Sequence, residues 1–436
     1  MKITINELFS GIGAQFSALK KLGITCEVIH TSDIDQNAVL SYAAIHCGLT
    51  TEIINTYTEY PTREEMARQL TEINLGYDFQ KNKPYNWYRL IKSKSKELEK
   101  YWLANKLSKN LGDISKLEYL EYADLWTYSF PCTDISVSGK QKGIIMGKTR
   151  SGLLYEVQRL LEKAKETSTL PKYLMLENVK NLVGKKFKPQ FDEWLAWLDE
   201  LGYNTYYKVL NAKDYGVPQN RERVFAISIR KDIDNGKFEF PQPFDNGVRL
   251  KDILEDNVDE KYYLTNTLAP TDNTILETNR CIQIGNLSLC NYDEMNRVYS
   301  REGCSPTLST MQGGNRQPKI AEPIAYVKEA TKKGYAEIHD GDSVNLEQPN
   351  SKTRRGRVGK GRAQTLTTSC NQAIVESQTK SFRVRKLTAR ECYRLMGFKD
   401  KQFNKAQQFN SNSQLYKQAG NSIVVDVLYY IFRNLF

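Results

Sequence analysis

Apolar and polar positions along the first 230 residues follow two alternating periods. Short apolar runs of strand character are each followed by a stretch with the three-to-four-residue repeat of an amphipathic helix. Ile3 to Phe9 reads as a short buried strand, Ser10 to Gly13 as a turn, and Ala14 to Lys21 as a helix. Cys26 to His30 predicts a second strand and Asp35 to Cys47 a second helix. Further strands are expected at Asp124–Ser129, Tyr173–Glu177, Tyr203–Leu210 and Arg223–Ile229, with helices at Leu153–Lys165 and Phe187–Leu201. Repeated strand-helix alternation of this kind predicts an α/β, doubly wound, Rossmann-like sheet. After about Lys231 the chain turns rich in Asn, Gly, Thr, Gln and Pro, with short strand-like runs, and this persists to about Ser381. A second, smaller, mostly β and loop-rich domain is expected there, followed by helices at Leu387–Met396 and Ser422–Asn434.

Two stretches interrupt that plan. Residues from about 55 to 111 look helical and polar, and nine cations face two anions between Lys81 and Lys109. A solvated helical insertion is the expectation, with nucleic-acid contact as the alternative. Ser351 to Arg362 carries six cations, no anion and three glycines that let backbone approach a ligand closely. The run suits phosphate, and equally suits a solvated loop. The expected domain limits are 1–235, 236–382 and 383–436, with 415–436 returning to the first domain.

Composition narrows the function classes. Net charge is +11, which fits a polyanionic partner, an anionic membrane or simple solubility. No run approaches the roughly 18 apolar residues of a membrane span, and the first residues do not read as a secretion signal. Eight scattered cysteines without a Cys-x-x-Cys, and three histidines, argue against zinc and for a reduced, cytoplasmic setting.

The candidate chemistry lies at the ends of the predicted strands. Phe9-Ser10-Gly11-Ile12-Gly13 is a tight turn opening a helix, suited to an anionic group, but Phe16 replaces the third glycine of a dinucleotide fingerprint. Asp33, closing the second strand, reads as a ribose-binding acid or a helix cap. Gly112-Asp113-Ile114 offers a carboxylate for an exocyclic amine, or again a cap. Cys132 follows a proline at a strand end and precedes a Ser/Gly/Lys loop, which suits a nucleophile held rigidly under a moving loop. Plain packing is the alternative for that thiol. Glu177 ends an apolar strand, where burial raises a carboxyl pKa and makes a proton donor. Arg221 and Arg223 stand two apart and share one strand face, where an anion or a base edge is a sensible partner.

In this order the segments resemble the cytosine-C5 DNA methyltransferase family. The resemblance rests on Phe9–Gly13, Asp33, Gly112–Ile114, Phe130–Thr133 with Ser138-Gly139, Arg150–Leu153, Glu177–Asn181, Gln219–Arg223, Arg385–Glu391 with Arg394–Phe398, and Gln418–Ser422. It implies an S-adenosylmethionine-dependent methyltransferase domain and a target-recognition domain. It also implies that Cys132 adds to C6 of a flipped cytosine, that Glu177 contacts N3 and the exocyclic amine, and that Arg223 binds O2 with Arg221 beside it. Phe9, Gly11, Gly13, Asp33, Ile34, Asp113, Ile114, Pro131, Leu153, Asn421 and Ser422 would line the S-adenosylmethionine pocket. Ser138 and Lys140 lie on the loop that closes over the flipped base. Arg297, Thr307 and Ser309 resemble a recognition segment, Arg357 and Thr365 form a second copy of it, and Arg355 is a further expected DNA-binding residue.

This chain departs from the family pattern in three places: Thr133 stands where many members have glutamine, the insertion before Gly112 is long, and so is the recognition region. The implied partner is double-stranded DNA, with no membrane, no metal, a monomeric state, and a cognate restriction endonuclease acting separately. An RNA (tRNA) cytosine-5 methyltransferase is the nearest alternative, since that branch shares the motifs. A nicotinamide-dependent dehydrogenase and a non-catalytic DNA-binding protein fit the Cys132, Glu177 and Arg223 set less well.

Overall fold

A computed structural model describes residues 2–78, 83–136, 141–264, 276–287, 289–311, 315–323, 325–331, 335–338, 343–345, 353, 355–359, 372–374 and 382–436. It divides into two compact units: Met1–Val248 with Thr307–Gly314 and Ala389–Phe436, and Arg249–Pro306 with Asn315–Thr388.

The first unit is built on a six-stranded sheet of order β2-β1-β3-β4-β6-β5. Strands β1 (Lys2–Leu8), β2 (Thr25–Ser32), β3 (Leu125–Tyr128) and β4 (Tyr173–Val179) pair in parallel. Strand β6 (Glu222–Arg230) runs antiparallel to β4 and to β5 (Tyr203–Asn211). Helices α1 (Ala14–Lys21) and α2 (Gln36–His46) follow the first two strands, α6 (Leu154–Glu166) follows β3, and α7 (Lys188–Leu201) follows β4. The expected alternation is therefore present, and its parallel strands end on the side where their loops carry the candidate residues. Leu154, Val157, Leu160, Leu161 and Ala164 form the buried stripe of α6, at the spacing that one helix face requires.

The insertion differs from the polar excursion expected of it. Its helices α3 (Thr51–Thr56), α4 (Arg63–Glu72) and α5 (Glu97–Leu107) close over a buried cluster of Met66, Leu70, Trp87, Leu98, Trp102 and Leu103, shared with Val39, Leu40 and Ala43 of α2. The lysines dominate its composition, but the aromatic residues decide its packing.

The second unit holds a five-stranded sheet of order β16-β10-β9-β8-β7, from β7 (Leu276–Thr278), β8 (Cys281–Asn286), β9 (Arg297–Ser300), β10 (Lys319–Pro323) and β16 (Phe382–Lys386). A short helix, α8 (Asp293–Asn296), precedes β9. Strands β11 (Ala325–Lys328) and β12 (Tyr335–Ile338) form a pair, and β13 (Ser343–Asn345) lies between β14 (Val358–Gly359) and β15 (Gln372–Ile374). In the larger sheet a fully buried Arg385 donates to Glu322 at 2.7 Å, so the charge that burial would penalise is paired.

Helices α9 (Ala389–Leu395), α10 (Asp400–Gln407), α11 (Asn412–Asn421) and α12 (Val425–Leu435) return to the first unit, where α12 packs on α1 and α10 on α2. No helix among the described residues is long and apolar enough to cross a membrane.

Candidate active site

The turn between β1 and α1 adopts backbone that few residues tolerate. Phe9, Gly11 and Gly13 have φ of 57°, 53° and 75°. A Cβ on Gly13 would lie 2.5 Å from the His46 ring, whereas one on Gly11 would meet nothing within 4 Å. Gly13 thus lets the turn sit on α2, and Gly11 opens onto free space. The Gly11 amide donates to the Asp33 carboxylate at 2.8 Å, and so does the Asp35 amide, which joins the β1 and β2 loops. Asp33 is half-buried; burial, reinforced by Asp35, raises its carboxyl to about 6.

The insertion holds this loop pair in place. Asn110 bonds both the amide and the carbonyl of Asp33, at 2.8 and 3.0 Å. The Gly76 amide donates to Ile34 O at 2.7 Å. Gly112 has φ 74°, and a Cβ there would fall 2.2 Å from Ile73 O. Asp113 accepts from Asn74 at 2.7 Å and from the amide and hydroxyl of Ser115, so its carboxylate caps a single helical turn. Ile34, next to Asp33, is half-buried; Ile114, next to Asp113, is buried; Pro131 and Leu153 are half-buried. An acid for ribose hydroxyls, apolar residues for a purine and an open glycine turn together suit an adenosine-bearing sulfonium such as S-adenosylmethionine. Asn421 is exposed at the end of α11, and Ser422 is buried with its hydroxyl on Ile423 O.

Cys132 lies just past β3, partly buried, and its neighbours are fixed by the strands on either side. In the β4–β6 register Val179 faces Arg223 and Glu177 faces Phe225, so Glu177 and Arg223 are diagonal neighbours on one face. The Arg223 guanidinium reaches the Glu177 carboxylate at 3.3 Å. Burial raises the Glu177 carboxyl, against the pull of Arg223 and Arg221. Burial likewise raises the Cys132 thiol; Arg223 draws it down and Glu177 pushes it up. The three groups therefore act on one another electrostatically.

The turn that presents the thiol is pinned by residues to which sequence reasoning gave no role. Asn178 donates to Phe130 O at 3.0 Å, Asn181 to Ile135 O at 2.6 Å, and Ser151 to Pro131 O at 2.6 Å. All three stand inside motifs read for Glu177 and Leu153, so the signal was present without its geometry.

Arg221 is placed differently from the catalytic partner expected of it. It is 4% exposed, and its terminal nitrogens donate to Leu308 O, Gly420 O and Ser422 O at 3.1, 3.1 and 2.9 Å. Burial and the neighbouring Arg223 lower it to about 9. Its donors tie the strand carrying Arg223 to the segment around Leu308 and to the end of α11.

The expected DNA-reading residues are dispersed. Thr307 and Ser309 are exposed; the Thr307 hydroxyl donates to Asn220 O at 2.6 Å, and Gly420 packs so tightly under Ser309 that a Cβ would lie 2.0 Å from its carbonyl oxygen. Arg297 is ion-paired with Asp293 at 2.6 Å. Arg355 is exposed and donates to Ala330 O, whereas Arg357 is 1% exposed, with its amide on Glu329. Ser138, Lys140 and Thr365 lie outside the described residues.

Comparison with known proteins identifies the family and the fold. Residues 79–436 match the family model described as C-5 cytosine-specific DNA methylase. The chain is 35% identical over 437 residues to the Type II methyltransferase M2.ScrFI of Lactococcus lactis subsp. cremoris, covering 100% of this chain and 99% of that one. It is 31% identical over 503 residues to the Orphan methyltransferase M.SPBetaI of Bacillus phage SPbeta, covering 100% and 97%. Its fold is similar to that of the S. pombe Dnmt2 methyltransferase, with a TM-score of 0.52 at 17% identity over 99% of this chain and 98% of that one.

Proposed function

The chain belongs to the C-5 cytosine-specific DNA methylase family, and on that premise we propose that Cys132, Glu177 and Arg223 carry out methyl transfer to C5 of a cytosine flipped out of duplex DNA. The observation that carries the assignment is the Glu177–Arg223 pair at 3.3 Å, within electrostatic reach of the Cys132 thiol. C5 is a poor nucleophile in an intact pyrimidine. Addition of the Cys132 thiolate to C6, with a proton or hydrogen bond from Glu177 at N3, turns C5 into an enamine-like carbon. Arg223 is suited to hold O2, and it keeps Glu177 oriented. Transfer of the C5 proton to water afterwards re-forms the C5=C6 bond and expels Cys132 as the thiolate.

Bound S-adenosylmethionine, the family's methyl donor, supplies an electrophilic methyl group. Asp33 would hold its ribose, Gly11 and Gly13 would let it approach the turn, and Ile34, Ile114 and Leu153 would flank its base. The first unit acts as the catalytic domain and the second as the target-recognition domain, with Arg355 and Arg297 on the second and Thr307 and Ser309 beside the catalytic strands. One protomer carries the whole proposed catalytic set, which is compatible with a monomer acting on DNA in the cytoplasm. Relatives include a type II enzyme and a phage orphan, so methylation proceeds whether or not a cognate endonuclease accompanies it.

Duplex DNA containing 5-fluorocytosine tests the mechanism, because fluorine cannot leave as a proton does. Wild type with S-adenosylmethionine should form a covalent adduct at sites located by bisulfite sequencing, and Cys132→Ser should form none while still binding DNA. An adduct with Cys132→Ser would remove Cys132 from its role.

A further inference from the structure

A pair of apolar side chains stands exposed on the loop that follows Cys132. Ile145 and Met146 are 41% and 62% exposed, and among the described residues no other two adjacent positions both expose large apolar side chains. Burial of such a pair is worth a few kcal/mol, so its exposure calls for a partner.

The pair is not on a slack loop. The Lys148 amide closes a tight turn onto Ile145 O at 3.2 Å, with Gly147 at φ 65° and Met146 at the apex. The Thr149 hydroxyl accepts from the Ile145 amide and donates to Gly143 O, both at 2.9 Å. Ile144 is buried and held by Gln190 through its amide and its carbonyl. Gly152 packs so closely that a Cβ would lie 2.2 Å from Ile145 O. The turn is also anchored to the nucleophile. Asp134, two residues after Cys132, accepts from the amides of Arg150 and Ser151 at 2.9 and 3.2 Å, and its carbonyl accepts from Gly143.

The surroundings indicate what the pair meets. Residues 141–150 contain Lys142, Lys148 and Arg150 and no acid. Lys142 and Lys148 are exposed on either side of the apolar tip. Cations flanking a rigid apolar tip match a duplex, with phosphates beside a base step, better than a protein groove or a solvated loop. A base that leaves the stack opens a gap, and Ile and Met are among the side chains that wedge between base steps.

We propose that Ile145 and Met146 form an apolar wedge that enters the base stack at the target cytosine and holds the gap open while the base is flipped. The proposal rests on the methyltransferase reading above. The wedge acts on the duplex and not on the reacting atoms, so both residues are positioning residues.

The test is single-turnover methylation at the mapped site, on a matched duplex and on one whose target cytosine faces an abasic position. A base already unpaired needs less help to leave the stack. The double variant Ile145→Ser, Met146→Ser should lose about 30-fold or more on the matched duplex and no more than about threefold on the abasic one. Ile145→Leu with Met146→Leu, which keeps the apolar tip, should stay within about threefold on both. S-adenosylmethionine binding and the thermal midpoint should not change in either variant, since both side chains are exposed. Equal losses on the two duplexes, or no loss on the matched one, overturn the wedge. Failure of wild type to methylate either duplex overturns the underlying reading instead.

Discussion

At the residue scale, burial sets both side chains proposed to react, Glu177 and Cys132, against their charged forms. The Glu177 carboxyl is held above its ordinary value by burial, and so is the Cys132 thiol. The reaction needs the first protonated and the second ionised. As pH rises, the acid fraction of Glu177 falls while the thiolate fraction of Cys132 grows, so the two effects cancel between their pKa values. Wild-type kcat/KM should therefore be nearly flat across that interval. Glu177→Gln retains a hydrogen-bonding amide but no dissociable proton. It should cost roughly 100-fold in rate, and its remaining activity should climb about tenfold per pH unit toward the raised thiol pKa. A flat profile for the variant would remove the acid role from Glu177. Chain position alone made these residues legible, because each ends an apolar strand. Arg221 was not legible, since its partners Leu308 and Gly420 lie 87 and 199 residues away.

At the element scale, the end of α11 serves two surfaces at once. Asn421 and Ser422 are expected from the sequence to line the cofactor pocket, while Gly420 lies directly beneath the Ser309 carbonyl. Gly420→Ala would place a methyl group 2.0 Å from that oxygen, so the Thr307–Met311 strip must move. The same shift would stretch the Arg221 bond to Leu308. S-adenosylmethionine affinity should change by less than about threefold, while methylation of duplex DNA should fall by tenfold or more, on the scale of a misplaced positioning element. Calorimetry and a methylation assay on one preparation separate the two effects; a parallel loss of cofactor binding would refute this division of labour. Helices α4 and α5 illustrate the opposite failure of sequence reading. The lysines between Lys81 and Lys109 suggested a solvated excursion, yet Trp87 and Trp102 are buried in one cluster with Val39 and Leu40 of α2, and Asn74, Gly76 and Asn110 brace the loops after β2 and before β3.

At the scale of the whole molecule, stability carries the mark of a buried acid in an interior strand, β1. Glu7 is fully buried, accepts from the Phe16 amide at 3.1 Å and from the Tyr42 hydroxyl, and is raised by burial from 4.5 to about 7. Between those values the folded chain keeps a proton that the unfolded chain has released, so this group makes stability fall as pH rises from about 4.5 to 7. The contribution is about 3 kcal/mol. Asp33, raised to about 6, adds a change of the same sign. Glu7→Gln should therefore lose much of the decline between pH 5 and pH 7.5, measured by denaturant unfolding at each pH. An unchanged decline would show that Glu7 does not titrate in that range.

Sequence alone determined the strand-helix alternation, the tight Phe9–Gly13 turn, the family of the chemistry and Cys132, Glu177 and Arg223 as the candidates for it. These follow from local periodicity, from backbone that favours glycine, and from short motifs in a set order. Only the tertiary structure decided that β6 runs antiparallel and so brings Arg223 diagonally beside Glu177, that Arg221 holds carbonyls, that Arg357 is buried while Arg355 is exposed, and that Ile144 turns inward while Ile145 and Met146 turn outward. Each of those outcomes depends on partners distant in the chain, and short motifs record which side chains are present but not which of them packing will bring together.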